Sequence, residues 1–88
     1  MDKSLLKHFW NCGDNEIIEF AIQRARLNRQ EKDVIKFILD DCMTQEQTAE
    51  RMNYSYRRVQ EIWYSANSKL LNIPWVYAYA EYNKKNSL

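Results

Sequence analysis

The stretch TAERMNYSYRRVQEIW, residues 48–63, constrains the fold most, because it contains two helical patterns with almost no chain between them. Asn53 lies at the junction, where the backbone of a tight turn usually needs a positive φ. After Gly, Asn is one of the few residues that tolerate this conformation. Ser55 is a typical N-cap for the second helix. The stretch therefore predicts a short helix and a longer one that meet at a tight corner.

The residues around this corner are of the types that close helix packing requires. Ala49 is small at the position where the first helix faces the second. The predicted core of this helix-turn-helix consists of Ala49, Met52, Asn53, Val59 and Ile62, with Tyr54 beside them. Farther along the longer helix, Ala66 and Leu70 continue the inward face.

Apolar residues recur at three- and four-residue spacing through most of the chain, which predicts an all-α fold of four to five helices including the helix-turn-helix. The expected segments are residues 3–10, 14–26, 28–41, 44–52 and 55–71. Asp14 is a plausible N-cap for the second segment. The pairs Asn28–Glu31 and Thr44–Gln47 have the spacing of a capping box, so each predicts a helix start.

We expect one globular domain with three regions. Residues 1–26 form N-terminal helices that pack on the core and are separated near Gly13, and residues 27–71 contain the corner. Residues 72–88 form an aromatic C-terminal tail, interpreted as a helix because Pro74 suits a first turn. Interpreted instead as a strand, the tail would place Trp75, Tyr77 and Tyr79 on one face, and periodicity alone leaves both interpretations open.

Composition excludes several classes of protein. The chain is 45% hydrophobic with one Gly and one Pro, which does not fit a disordered segment. It contains no apolar run near the roughly 20 residues that span a bilayer and no signal-peptide pattern, so we expect a cytoplasmic protein without membrane contact. One His, no Gly-rich phosphate loop and no clustered carboxylates indicate that it is not an enzyme, with no catalytic residue and no cofactor.

The cysteines are too sparse to indicate a redox compartment. We expect Cys12 and Cys42 to be small buried apolar residues. His8 lies four residues before Cys12, but such a pair lacks the further ligands of a typical zinc site, so we predict no metal.

The outward face of the longer helix has side chains that suit a DNA groove. Arg can bond guanine, Gln can bond adenine, and Glu can accept from cytosine. The candidates for base reading are Tyr56, Arg57, Gln60, Glu61 and Tyr64, and those for contact with the DNA backbone are Thr44, Ser55, Arg58 and Lys69. The alternative is a plain solvated face. Because the net charge is only +1, any nucleic-acid contact depends on local placement of a few cations.

From Leu27 to Leu71 the sequence resembles region four of bacterial sigma factors and the related LuxR-type helix-turn-helix domains. LNRQEKDVIKFIL is similar to the helix that precedes their motif, and TQEQTAERMNYSYRRVQEIWYSANSKLL is similar to the motif itself. The connecting DDCM is like that of the smaller, extracytoplasmic type. The resemblance implies that the helix from Ser55 is a recognition helix and that positions 56, 57, 60 and 61 contact promoter DNA.

The chain departs from that family in ways that bear on function. Tyr56 and Arg57 stand where many sigma factors have Arg followed by Glu, and Glu61 stands where Gln is frequent. The promoter sequence usual for the family is therefore not implied as a target. No segment resembles the region that melts the promoter, so we do not expect the chain alone to act as a sigma factor.

Two functions follow from this pattern. The first is a small transcriptional regulator that binds double-stranded DNA, with a homodimer on adjacent half-sites to strengthen the binding. The second is a protein-interaction module of sigma-like shape that docks on RNA polymerase or another regulator without contacting DNA.

The aromatic tail has its own alternatives. Its rings either cover the core, together with Trp10 and Trp63, or form a dimer surface of Trp75, Tyr79 and Tyr82. A third interpretation, base stacking on single-stranded nucleic acid, has little cationic support beyond Lys84 and Lys85.

Overall fold

The computed structural model describes residues 3–12 and 14–86, and within these ranges the chain is helical with short connections and no strand. The helices are α1 Lys3–Cys12, α2 Asn15–Ala25, α3 Arg29–Leu39, α4 Gln45–Met52, α5 Tyr56–Leu71 and α6 Pro74–Lys85. The predicted all-α fold is confirmed. Gly13 and the side chain of Cys12, for which we made predictions above, lie outside the described residues.

The described residues form six helices, one more than the predicted four to five, because the tail adds α6 to the five expected segments. The alternative interpretation of the tail as a strand is wrong, because residues 74–85 form α6 with Pro74 in its first turn. The physical reason is that the two terminal segments pack on each other as α1 and α6. Each segment thereby buries an apolar face that it could not bury alone.

The described chain falls into two compact units. The central unit is residues 27–66, which contain α3, α4 and α5 through Ala66. The terminal unit is the described part of residues 1–26 and 67–88, which contains α1, α2, the end of α5 and α6.

Side-chain caps determine where the helices α2, α3 and α4 begin, as the sequence predicts. The Asp14 carboxylate accepts a backbone N–H three residues on, at 2.9 Å. Asn28 and Glu31 form a complete capping box, with N···O distances of 2.8 and 2.9 Å. Thr44 and Gln47 form a second one, at 3.0 and 2.9 Å. These caps satisfy donors that a helix start otherwise leaves unpaired.

The turn after α4 has the predicted backbone conformation. Asn53 lies in the left-handed region with φ 59°. Its N–H donates to the Glu50 carbonyl at 3.2 Å, and the N–H of Tyr54 donates to the Ala49 carbonyl at 2.9 Å. Ser55 caps α5, because its hydroxyl oxygen accepts the N–H of Arg58 at 3.1 Å. Only residues 53–55 separate the two helices.

The prediction that Cys42 is buried is wrong, since its side chain is exposed. The residue lies in the connection between α3 and α4 and also has a left-handed backbone, with φ 57°. The neighbouring Met43 N–H donates back to the Phe37 carbonyl at 3.0 Å, which closes the end of α3. The turn geometry thus places this cysteine outward, although the residue type favours burial.

The central unit is built around an apolar core: Leu27, Val34, Ile35, Ala49, Val59, Trp63 and Ala66 are all buried. Among the residues expected to pack at the corner, Ala49 and Val59 are buried, whereas Met52, Tyr54 and Ile62 are half-buried. The small side chain of Ala49 and the fully buried Val59 therefore lie where the sequence predicts packing between α4 and α5.

A buried carboxylate joins α3 to α5 within the central unit. Glu31 is 2% exposed. Its Oε1 caps the N–H of Asn28 at 2.9 Å, and its Oε2 accepts the hydroxyl of Ser65 at 2.7 Å. Burying a carboxylate is costly unless its oxygens are hydrogen-bonded. The two bonds therefore favour one relative position of α3 and α5.

The terminal unit is organised around the fully buried ring of Phe9 in α1. Two rings of α6 pack on it edge-on, Trp75 with a centroid distance of 6.1 Å and Tyr79 with 5.7 Å. Val76 and Ala80 of α6 are fully buried as well. Trp75 and Tyr79 thus contribute to packing within this unit, which agrees with the first interpretation of the aromatic tail.

We predict that Glu31→Ala lowers the free energy of unfolding by about 2–3 kcal/mol, because it removes a buried side chain and leaves the Asn28 N–H and the half-buried Ser65 hydroxyl without this partner. Urea unfolding followed by circular dichroism measures the change. Glu46→Ala is the matched control, since Glu46 is an exposed carboxylate in the first turn of α4, and it should cost about 0.5 kcal/mol or less. Equal losses in the two variants would contradict the structural role of Glu31.

Candidate nucleic-acid interface

The five base-reading candidates lie on one exposed face of α5 in the central unit. The opposite face of this segment is buried through Val59, Trp63 and Ala66. The outward side chains belong to Tyr56, Arg57, Gln60, Glu61 and Tyr64, all of which are exposed. The two tyrosines are large exposed rings, with Tyr56 45% and Tyr64 63% accessible. Helical spacing places these positions along one continuous strip.

Two of these candidates are paired with each other. The Nε of Arg57 lies 3.4 Å from the Oε1 of Glu61, four residues on, and their side chains are 87% and 68% exposed. A solvent-exposed pair of this kind contributes little free energy. The pair therefore orients both groups on the outward face but separates at small cost when a better partner approaches.

Arg58 is held in place more firmly than its neighbour Arg57. Its guanidinium carbon lies 4.6 Å from the centroid of the Tyr54 ring, within the range of a cation–π contact. The Tyr54 hydroxyl in turn accepts a hydrogen bond from Nε2 of Gln30 at 3.0 Å. Gln30 of α3 thus orients the Tyr54 ring, and that ring in turn orients the Arg58 guanidinium. This arrangement was not among the predictions, and its only signal in the sequence is an aromatic residue four positions before an Arg.

The candidates for backbone contact do not all lie in one unit. Thr44 and Ser55 are exposed N-caps of α4 and α5 in the central unit, and Arg58 is in the first turn of α5. Because a hydroxyl that accepts a bond still has a hydrogen to donate, both caps remain able to bond a phosphate oxygen. Lys69 is exposed but belongs to the terminal unit.

A further cation near the corner was not among the candidates. Arg51 in the last turn of α4 is exposed, and its guanidinium carbon lies 5.9 Å from the centroid of the Phe37 ring. The central unit as a whole has six Lys and Arg residues against seven Asp and Glu residues, a formal charge of −1. At the corner, attraction of an anion therefore depends on Arg51, Arg57 and Arg58 and on the helix N-termini, and not on a net field.

Tyr77 of α6, in the terminal unit, is also electrostatically perturbed. A hydrogen bond to the Glu81 side chain, together with the charge of that carboxylate, raises the pKa of the Tyr77 hydroxyl. The ring is exposed. Since a raised pKa moves ionisation farther above neutral pH, Tyr77 is an uncharged surface group there and adds no charge to α6.

Neither membrane nor metal features are found in the residues that the structure describes. None of their helices combines the length and the apolar character needed to cross a bilayer. Within the same ranges, no three His, Cys, Asp or Glu side chains are grouped as metal ligands would be.

Comparison with known proteins gives no match to a family model, to a curated protein or to a solved structure. The resemblance to sigma region four therefore stays a prediction based on the quoted residues.

We predict a coupling of about 0.3–0.5 kcal/mol between Arg57 and Glu61, because an exposed i,i+4 pair contributes no more than this to helix stability. The measurement is a double-mutant cycle of Arg57→Ala, Glu61→Ala and the double variant by urea unfolding, repeated at high salt. Salt should reduce the coupling. A coupling above about 1.5 kcal/mol would mean that the pair is a structural element and not a readily separated surface contact.

Proposed function

We propose that this protein is a sequence-specific regulator of transcription that binds double-stranded DNA in the cytoplasm. In this proposal α4 and α5 act as a helix-turn-helix, and the N-terminal half of α5 is the recognition helix. The supporting observation is the outward strip of Tyr56, Arg57, Gln60, Glu61 and Tyr64, set beyond a three-residue turn on a helix whose other face is buried.

The dimensions and chemistry of this strip suit the major groove. An α-helix with its side chains is about 10–12 Å across, and the groove is about 12 Å wide. Arg57 has two parallel donors for guanine, and Gln60 has one donor and one acceptor for adenine. When Arg57 turns to a base, Glu61 loses its present partner at 3.4 Å and becomes available to accept from cytosine. One weak intramolecular pair is thus exchanged for two contacts with bases.

Groups beside the strip suit the phosphates on either side of the groove. Arg58 is already positioned by the Tyr54 ring, so less rotamer entropy is lost when it binds. The Thr44 and Ser55 hydroxyls lie at helix N-termini, which favour anions. Lys69, in the terminal unit, is a separate candidate for phosphate contact. Contacts of this type position a protein on the duplex, whereas the strip supplies sequence preference.

The charge of −1 on the central unit limits the affinity of a single copy for DNA. Two copies on adjacent half-sites would multiply that affinity, which fits the symmetric operators of many helix-turn-helix proteins. A homodimer is therefore part of the proposal.

Selection from a randomised duplex pool at about physiological salt tests this function. We expect an enriched motif, palindromic if the protein binds as a dimer. Arg57→Ala should then cost about 1–3 kcal/mol of binding free energy and relax the preference at one base pair. Lys32→Ala is the control, because Lys32 is an exposed cation on α3 outside the strip; it should leave the motif unchanged.

Two results would contradict the assignment. An Arg57→Ala variant that selects the same motif with the same affinity would remove Arg57 from base recognition. A parent protein that enriches no motif and shows only weak, salt-sensitive retention would remove stand-alone operator binding.

A second candidate function is docking on RNA polymerase or another regulator. It is supported by the near-neutral central unit and by the exposed rings of Tyr56 and Tyr64, since aromatic residues are enriched in protein interfaces. In this case the double variant Arg57→Ala/Arg58→Ala keeps its activity, and purified RNA polymerase retains the parent in the absence of DNA. The first candidate predicts that the double variant is inactive.

A further inference from the structure

The outward face of α2 in the terminal unit presents an exposed phenyl ring. Phe20 is 59% accessible, although the helix buries Ile18, Ala21 and Ile22 on its other side. Unlike the exposed tyrosines, this ring has no polar group to interact with water. It lies beside Trp75 of α6, with a centroid distance of 5.8 Å and an angle of 44° between the ring planes. The two rings form one apolar surface on this unit.

Two clefts flank Phe20, an apolar one with an acidic residue in its lining and a polar one with two basic residues. One, of about 520 Å³, is lined by Glu16, Ile17, Phe20, Trp75 and Tyr79. The other, of about 290 Å³, is lined by Phe20, Gln23, Arg24 and Arg26. An acidic side chain therefore lies on one side of the ring and basic side chains lie on the other. Among the described residues, Glu16 and Arg24 form no salt bridge, and both are exposed.

The spacing of these residues makes the surface complementary to itself. Glu16 lies four residues before Phe20 and Arg24 four residues after it, so the three form one i, i+4 ridge on the helix. A second α2 placed antiparallel, with a two-fold axis near Phe20, brings Glu16 of each copy opposite Arg24 of the other. The same operation places Ile17 opposite Gln23. This reciprocity is the property of an isologous interface.

We propose that two copies of this chain associate through antiparallel α2 helices. In this dimer each Phe20 ring fills the apolar cleft beside Trp75 of the other copy, and two Glu16–Arg24 pairs form at the edges. We choose a second copy as the occupant because the acidic residue before Phe20 and the basic residue after it would each face the opposite charge on an antiparallel copy of the same helix. The proposal is independent of DNA binding, and it places the contact on Phe20, Trp75 and Tyr79 without Tyr82.

The dimer is expected to be weak. Two helices of three turns bury less than the roughly 1,200 Å² of the smallest stable complexes, so we expect dissociation constants from about 10 µM to 1 mM. If two copies bind adjacent sites on one partner molecule, each copy is present at a high effective concentration for the other, and the dimer contact is strengthened.

Sedimentation equilibrium over that range tests the proposal with charge-reversed variants. Glu16→Arg gives a protomer with two basic positions and Arg24→Glu one with two acidic positions, so each should self-associate at least about tenfold more weakly than the parent. Mixed in equal amounts they should form a heterodimer of about parental affinity, because both pairs become complementary again. The double variant Glu16→Arg/Arg24→Glu should likewise recover self-association.

Phe20→Ala should abolish association, and Glu50→Arg, on the exposed face of α4, is the control and should leave it within about twofold. Circular dichroism checks that every variant keeps the helical content of the parent. A parent that remains monomeric at about 1 mM would overturn the proposal. So would a dimer that withstands Phe20→Ala, or single charge variants that fail to pair with each other.

Discussion

The hydrogen-bonded carboxylate of Glu31 is the constraint on which the central unit depends. One oxygen accepts the backbone N–H of Asn28 and so caps the start of α3. The other accepts a hydrogen bond from the Ser65 hydroxyl of α5. A carboxylate that is 2% exposed is stable only where such partners are in place. The start of one helix and the position of another are thus coupled through one side chain. Because α5 also contains the outward strip, the same carboxylate helps to fix the direction of the proposed recognition helix.

The second constraint is the turn from α4 to α5. Asn53 reverses the chain with a left-handed backbone, and Tyr54 immediately contacts both Gln30 of α3 and Arg58 of α5. The first turn of α5 is consequently supported from two sides, by packing through Val59 and by this polar chain. A rigid support is what a set of base-contacting side chains requires, since a small misplacement weakens hydrogen bonds that depend on direction.

Features encoded by neighbouring residues could be predicted from the sequence, and features that depend on distant ones could not. The caps at Asp14, Asn28 and Thr44 and the turn at Asn53 are local, and all were predicted. The left-handed backbone at Arg26 and Cys42 was not, because neither residue type favours it. In the candidate site, the outward strip followed from helical periodicity. The Gln30–Tyr54 hydrogen bond and the Glu31–Ser65 hydrogen bond involve α3, which no local pattern places beside the corner or α5.

The most direct test of α5 as the DNA-contacting helix is to titrate ¹⁵N-labelled protein with a short mixed-sequence duplex at low salt and follow the amide resonances. If α5 contacts DNA as proposed, the largest shifts fall on residues 55–64 and on Thr44, with Arg57 and Gln60 among them. Salt then reverses the shifts, since phosphate contacts release counterions. An absence of shifts, or shifts confined to residues 14–26 of the terminal unit, would contradict the assignment of α5 as the DNA-contacting helix.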